Sequence, residues 1–258
     1  MNYKIQAIAL WTLIYREMAR VFRIWPQTLL PSAITTILYF IIFGHVLGSH
    51  VGDIEGFPYV QFILPGLVFM PMVMGAYMNT STSFFGGKFG KHIEELLVSP
   101  ATNTVILLGY VGAGMLRGLM VGILVGGMLM LMVHLKIYSW AIVFLVSFLM
   151  TAIFSLAGLI NAIYAKKFDD VSFVPTFVLT PLNYFAGVFY SIQMLPPSWQ
   201  VFSHFNPMMY LMDGLRYGFL GIATDVSFLW ILVVMLGITA ILTLISLRLL
   251  MHSKGLRN

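Results

Sequence analysis

Long stretches without a charged side chain are the feature that most limits how this chain can fold. Acidic, lysine and arginine residues are absent from 24–52, 56–87, 118–135, 137–165, 171–212 and 226–247. A soluble domain carries about 25% charged residues, whereas this chain of 258 residues carries 9% and is 60% hydrophobic. Too few polar residues remain to coat an apolar core of that size, so the sequence predicts an integral membrane protein.

The lengths of these stretches predict how often the chain crosses the membrane. A helix needs about 20 apolar residues to cross the hydrocarbon core. We therefore expect an all-α integral membrane protein, a single domain of residues 1–258 with six transmembrane helices. The predicted spans are 27–47, 59–83, 106–133, 139–162, 171–192 and 226–248.

The basic residues between the spans predict the orientation. Eleven of the fourteen lie on one side of a six-span arrangement, in the N-terminal segment, the loops after the second and fourth spans, and the C-terminal end. The opposite side holds Lys136 and Arg216, and Arg117 lies within the third span. Because lysine and arginine are concentrated in cytoplasmic loops, both termini are predicted to be cytoplasmic.

Residues 4–23 predict an amphipathic helix in the membrane interface. At about 100° per residue, a basic face opposes an aromatic and aliphatic one, which suits the headgroup plane. The basic face carries Arg16, Arg20 and Arg23. The helix is either a membrane anchor or a lever that joins a cytoplasmic partner to the first span.

Residues 196–221 are apolar but interrupted by prolines, which predicts short re-entrant helices on the external side rather than a seventh span. Such backbone is tolerated at membrane depth where protein or a water-filled cavity covers it. Asp213 and Arg216 lie one turn apart and can neutralise each other. They form either a structural salt bridge or a gate contact.

The third span contains glycines at every fourth position, a pattern that lets another helix approach closely. This glycine stripe consists of Gly114, Gly118, Gly122 and Gly126. Arg117 lies beside it. A charge inside a span is a functional candidate, although an arginine can also extend its head to the headgroups.

Missing motifs exclude several functions. The sequence has no cysteine, no phosphate-binding G-x-x-x-x-G-K-[ST] loop and no H-E-x-x-H, so we expect no catalytic, cofactor or metal site on this chain. No acidic residue lies in the middle of a span, which argues against a proton- or sodium-coupled carrier. The basic residues form no single patch, which argues against nucleic acid as a partner.

The loop after the second span contains KHIEELLVSP, residues 91–100. Residues 88–99 predict a short amphipathic helix, which Pro100 ends because the residue before a proline is driven out of the helical region. Its polar face carries Lys88, Lys91, Glu94 and Glu95. The pattern fits a helix that lies on the membrane and equally one that fills a groove on a soluble protein.

Two stretches resemble the type-two ABC transporter permeases. HIEELLVSP, followed by ATNTVILLGY, is similar to the family's cytoplasmic Glu-x-Leu-Leu-Val-Ser/Thr-Pro run, which enters the third span. FNPMMYLMDGLR, residues 205–216, is similar to the family's Asn-Pro-x-x-Tyr stretch with a downstream arginine. Within the family, the chain resembles the YadH-like group of bacterial inner-membrane permeases.

The resemblance implies a transport subunit of an ATP-driven exporter, not an enzyme. Two such permeases associate, and each meets a separate ATPase subunit that binds ATP and magnesium. Residues 88–99 would be the coupling helix and 4–23 the connecting helix. Spans one, two and five would line a path for an amphiphilic or lipid-linked substrate, with 196–221 as its external lid. An ion-coupled carrier and a non-transporting scaffold are the alternatives.

The orientation is testable with reporter fusions. Fusions after residues 50 and 136 should report an external position, and fusions after residues 92, 168 and 258 an internal one, because of the distribution of basic residues. An external C-terminus would contradict the six-span arrangement.

Overall fold

The structure is a computed structural model that describes residues 3–93, 96, 99–222 and 226–252. In this part of the chain, helices are joined by short loops and one two-stranded hairpin. The elements are α1 (Tyr3–Arg23), α2 (Trp25–Thr28), α3 (Leu30–Tyr39) with a π-helical extension (Phe40–Leu47), α4 (Gly48–Val51), β1 (Asp53–Ile54), β2 (Phe57–Pro58), α5 (Tyr59–Phe89), α6 (Asn103–Met132), α7 (Trp140–Tyr164), α8 (Phe168–Val174) with a π-helical extension (Pro175–Leu179), α9 (Thr180–Tyr184), a 3-10 turn (Ile192–Met194), α10 (Pro197–His204), α11 (Pro207–Leu220) and α12 (Phe228–His252).

Five helices among the described residues are long and apolar enough to cross a membrane. They are Trp25–Leu47, which we call the first membrane helix, and α5, α6, α7 and α12. They correspond to five of the six predicted spans. The chain is therefore a multi-pass membrane protein, as its composition predicts.

The predicted fifth span, 171–192, is wrong in its bounds. The helical run begins at Phe168, passes through the π-helical turn and ends at Tyr184. Pro175 and Pro181 lack the N–H that continues an α-helix. Between them the run is π-helical, and the Pro175 carbonyl accepts from both the backbone N–H and the hydroxyl of Thr180. A helix needs at least about 17 residues to cross the hydrocarbon core, and the run Phe168–Tyr184 only just reaches that length. The six-span count therefore stays a prediction.

α5 lies at the centre of the molecule, with α6 and α7 packed along it. In its most apolar stretch 72% of the residues are buried, compared with 11% in α12. α12 therefore packs at the edge and leaves most of its surface for lipid. α5 contributes more side chains to the main buried cluster than any other described helix, including Phe62, Leu67 and Phe69.

The glycine stripe of α6 lies against α5 and α7. A methyl group added at Gly114 would lie 2.0 Å from the Thr80 hydroxyl of α5 and 2.5 Å from the Ser155 hydroxyl of α7. At Gly118 and Gly122 an added methyl group would also come within 3.0 Å of α5 atoms. The three helices therefore approach closely because these positions have no side chain.

A tight hairpin joins the first membrane helix to α5. β1 pairs antiparallel with β2 through the turn residues Glu55 and Gly56. Their φ angles are 52° and 83°, and a two-residue type I′ turn requires positive values at both positions. The Ser191 hydroxyl donates to Glu55 Oε1 at 2.5 Å, so the hairpin is tied to the segment that follows α9.

The glycine stripe yields a stability prediction. Gly114→Ala should lower the stability of the fold by about 1–3 kcal/mol, because the added methyl overpacks the contact with Thr80 and Ser155. Gly127→Ala is the matched control, since nothing lies within 4 Å of its added Cβ and alanine favours a helix by about 1 kcal/mol over glycine. Thermal unfolding in detergent measures both variants, and equal midpoints would contradict the close packing.

Candidate functional site

α1 packs on α6 through a narrow apolar contact. Leu13 and Val21 are buried, and Leu13 occupies the space above Gly109 of α6, where an added Cβ would lie 2.9 Å from it. Trp11 and Tyr15 on the outer face are 70% and 65% exposed. This exposed aromatic face is available to lipid, as expected for an interfacial helix.

A buried carboxylate joins α1 to the second membrane helix. Glu17 lies on the inward face of α1 and is only 4% exposed. Its Oε2 forms an ion pair with Arg20 Nη2 at 3.0 Å and accepts a hydrogen bond from the Ser83 hydroxyl of α5. Its Oε1 accepts from Arg16 at 3.2 Å. A buried charge is costly unless it is paired and hydrogen-bonded, and here both conditions are met.

Two arginines of the predicted basic stripe turn toward the protein. Arg16 donates to the Tyr110 hydroxyl of α6 at 3.0 Å, and Arg20 donates to Asn79 Oδ1 of α5 at 3.1 Å. The pKa of Arg16 is raised: burial by itself lowers it, but the charges and hydrogen bonds of Tyr110 and Glu17 outweigh burial. Arg16 therefore stays cationic.

A polar cavity of about 400 Å³ lies at the junction of α1, α5 and the following loop. It is lined by Glu17, Arg16 and Arg20 of α1 and by Ser83 of α5. The exposed third arginine of the stripe, Arg23, lies at its edge together with His92. Arg117 of α6 is half-buried and within electrostatic range of Arg20. Its Nε has no hydrogen-bond partner in the described part of the chain, and its role stays a prediction.

The predicted helix 88–99 is wrong at its start. α5 continues to Phe89 and then ends, since Lys91 has a φ of 60°, which an α-helix cannot accommodate. The Lys88 ammonium donates to the carbonyls of Ile163 and Ala165 at 2.8 and 3.0 Å, so it caps α7. His92, Ile93 and Leu96 are helical. Glu94, Glu95, Leu97 and Val98 lie outside the described residues.

The loop is attached to α1 as well as to the membrane helices. Ile93 is buried, and Leu96 packs against the same apolar cluster of α5 and α6 residues. The Gln6 amide of α1 donates to the Pro100 carbonyl at 2.7 Å and accepts from the Thr102 amide at 3.0 Å. The end of the loop, α1 and the start of α6 therefore form one connected unit.

Asp213 and Arg216 form a buried ion pair in α11. Arg216 Nη1 lies 3.2 Å from Asp213 Oδ1, and both side chains are 1% exposed. Arg216 also donates to the Gly187 carbonyl, and its guanidinium carbon lies 4.2 Å from the centre of the Phe62 ring. The pair thereby joins α11 to α5 and to the turn after α9. A gate function for it stays a prediction.

Sequence reasoning missed Glu17 and Gln6. Glu17 is the single acidic residue in 4–23 and lies one turn from Arg20, which is a readable signal for an ion pair. Gln6 carries no comparable signal, because its partners on the loop are 94 and 96 residues away in the chain.

Glu17→Ala tests the junction between α1 and α5. Removing the carboxylate takes the charged partner from two arginines and an acceptor from Ser83, and we expect a loss of about 1–3 kcal/mol in stability, reduced by the partial exposure of both arginines. Arg23→Ala on the same helix is the control and should stay within about 0.5 kcal/mol. The measurement is thermal unfolding in detergent, and equal effects of the two changes would contradict the assignment.

Comparisons with known proteins agree with the motif resemblance. The model of the ABC-2 type transporter family matches residues 8–220. The inner membrane transport permease YadH of Escherichia coli K12 is 50% identical over 251 residues, which cover 97% of this chain and 98% of that protein. Nodulation protein J of Sinorhizobium fredii is 27% identical over 241 residues, which cover 87% and 88%. The chain belongs to the ABC-2 type transporter family.

Proposed function

We propose that this chain is the membrane-spanning permease subunit of an ATP-driven exporter in a bacterial inner membrane. The observation that carries the proposal is the connected unit of α1 and the loop before α6, joined by Gln6 and anchored to α5 through Glu17. The family assignment and the E. coli relative, named as an inner membrane transport permease, support it. Both termini and this unit then face the cytoplasm.

The chemistry of ATP hydrolysis belongs to a partner. Two copies of the permease would associate, each with one ATPase subunit that binds ATP and magnesium. The loop of residues 88–99 is the docking element in this proposal. Lys91 is exposed and, with Glu94 and Glu95, would supply its polar contacts. Leu96 and the capping contact of Lys88 would hold the loop against the membrane helices.

Motion would pass from the loop and α1 to α5. A push on α1 would be carried by the contacts of Glu17 with Ser83 and of Arg20 with Asn79, because networks of hydrogen bonds and ion pairs can carry coupling between elements. Arg117, near Arg20, would respond to the same motion. α5 borders the first membrane helix and the run Phe168–Tyr184, which would line the substrate path.

The external side would be closed by α10 and α11. Arg216 ties α11 to the turn at Gly187, so a shift of α5 or of the fifth helical run would reach this lid directly. In this proposal the Asp213–Arg216 pair keeps the lid in place, and an amphiphilic or lipid-linked substrate would leave beneath it.

The paired change Glu94→Ala and Glu95→Ala tests the docking role. Truncating one partner of a desolvated charge pair costs about 2–5 kcal/mol, which would weaken ATPase docking by about 30-fold or more. The variant should reach the membrane at normal levels, lose its bound ATPase and lose transport-stimulated ATP hydrolysis.

Asp169→Ala, an exposed acid at the start of α8, is the matched control and should retain the ATPase. If the double variant keeps full ATPase binding and stimulation, the loop is a solvated connector. If no nucleotide-binding subunit purifies with the unmodified chain, a scaffold is the better interpretation.

A further inference from the structure

A second cavity, of about 300 Å³, lies between the first membrane helix, α5 and the run Phe168–Tyr184. Its lining side chains are uncharged. α5 contributes apolar ones, including Met70 and Met74. The first membrane helix and the fifth helical run contribute hydroxyl and amide groups, which belong to Ser32, Thr35, Thr36, Tyr39, Thr180, Asn183 and Tyr184.

Asn183 is the unusual member of this lining. Its side chain is 0% exposed, and within the described residues neither its Nδ2 nor its Oδ1 has a hydrogen-bond partner. Burying an amide without hydrogen-bond partners in an apolar environment destabilises the fold. A buried amide without a hydrogen-bond partner among the described residues is a candidate for binding a ligand.

The nearby Asn206 shows how a structural asparagine differs. It is also buried, but its Nδ2 donates to the Leu182 carbonyl at 2.8 Å and its Oδ1 accepts from the Met208 amide at 3.0 Å. Asn206 thereby caps α11 and holds it to the fifth helical run. The Asn183 side chain makes no such hydrogen bonds within the described residues, although Asn183 is the next residue after Leu182, whose carbonyl Asn206 binds.

The helices that flank the cavity are irregular where they border it. The first membrane helix becomes π-helical immediately after Tyr39, and the fifth helical run is π-helical immediately before Thr180. Such segments occur frequently at functional sites. The hydroxyls of Tyr39 and Tyr184 lie 3.2 Å apart, so they bridge the two helices at the edge of the cavity.

We infer that this cavity binds an uncharged, hydrogen-bonding group of an amphiphilic substrate, such as a hydroxyl-rich headgroup. An amide and several hydroxyls offer both donors and acceptors, whereas the lining offers no charge to balance an ion, whose burial would be costly. The methionines of α5 supply an adjoining surface for an apolar chain. The inference rests on the proposed function for its place in transport, but the binding itself does not require an ATPase.

The absence of cysteine from the sequence permits a direct test. A single-cysteine Ser32→Cys permease in lipid nanodiscs would be labelled with neutral hydroxyethyl methanethiosulfonate. Octyl glucoside, octyl sulfate and octyltrimethylammonium share one tail and differ in headgroup charge. Below their micellar concentrations, octyl glucoside should slow labelling, and the two charged amphiphiles should slow it much less. Ile34→Cys, on the exposed side of the same helix, should show no protection.

Asn183→Leu separates binding from folding. It should weaken protection by octyl glucoside about five- to tenfold, the loss expected for about one hydrogen bond. The thermal unfolding midpoint should stay equal or rise, because leucine removes a buried amide without partners. Asn206→Leu is the contrasting change and should lower the midpoint, since it removes two structural hydrogen bonds.

Three outcomes would overturn the inference: equal protection by the charged amphiphiles, unchanged protection in Asn183→Leu, or a lower midpoint for that variant. The last result would show that the amide is satisfied in the folded protein, for example by a second copy of the chain. Loss of glucoside protection with intact ATPase stimulation in the complex would leave the proposed function standing. Glucoside protection in a chain that binds no ATPase would support the binding inference and contradict the proposed function.

Discussion

Close contact between helix backbones at the glycine stripe sets the position of α5 between α6 and α7. In lipid, apolar side chains gain nothing by leaving the solvent, so helices associate through tight packing and polar contacts. Gly114, Gly118 and Gly122 provide the packing, because a methyl group would overlap Thr80 and Ser155 at the first position and other side chains of α5 or α7 at the next two. The central position of α5 follows, and the α1 junction and the second cavity are both built on its surface.

Buried polar groups mark where the remaining elements attach. Glu17 holds α1 to α5, and the Asp213–Arg216 pair holds α11 to α5 and to the turn after α9. Each charge in these contacts has a partner, as a low-dielectric environment demands. The neutral amide of Asn183 has no such partner within the described residues. Because an unpaired buried amide is also costly, Asn183 is a candidate for binding a ligand.

The two candidate regions lie at different positions along α5. At one end, α1 and the loop before α6 are joined by Gln6 and linked to α5 through Glu17. Between that end and α10 and α11, the proposed lid, the uncharged cavity lies beside the same helix. α5 therefore contacts both the region of the proposed ATPase contact and the proposed substrate cavity.

The sequence by itself determined the helical membrane architecture, five of the predicted spans and the family. These features depend on the length of apolar stretches and on short motifs, which involve only residues close together in the chain. It placed KHIEELLVSP in a loop, but it did not show that α5 extends to Phe89 or that Lys88 caps α7. Nor did it show the inward turn of Arg16 and Arg20, or that the Asn183 amide has no hydrogen-bond partner among the described residues. Only the tertiary structure decided these features, because each depends on which distant segments pack together, and in lipid that choice depends on interhelical fit rather than on local hydrophobicity.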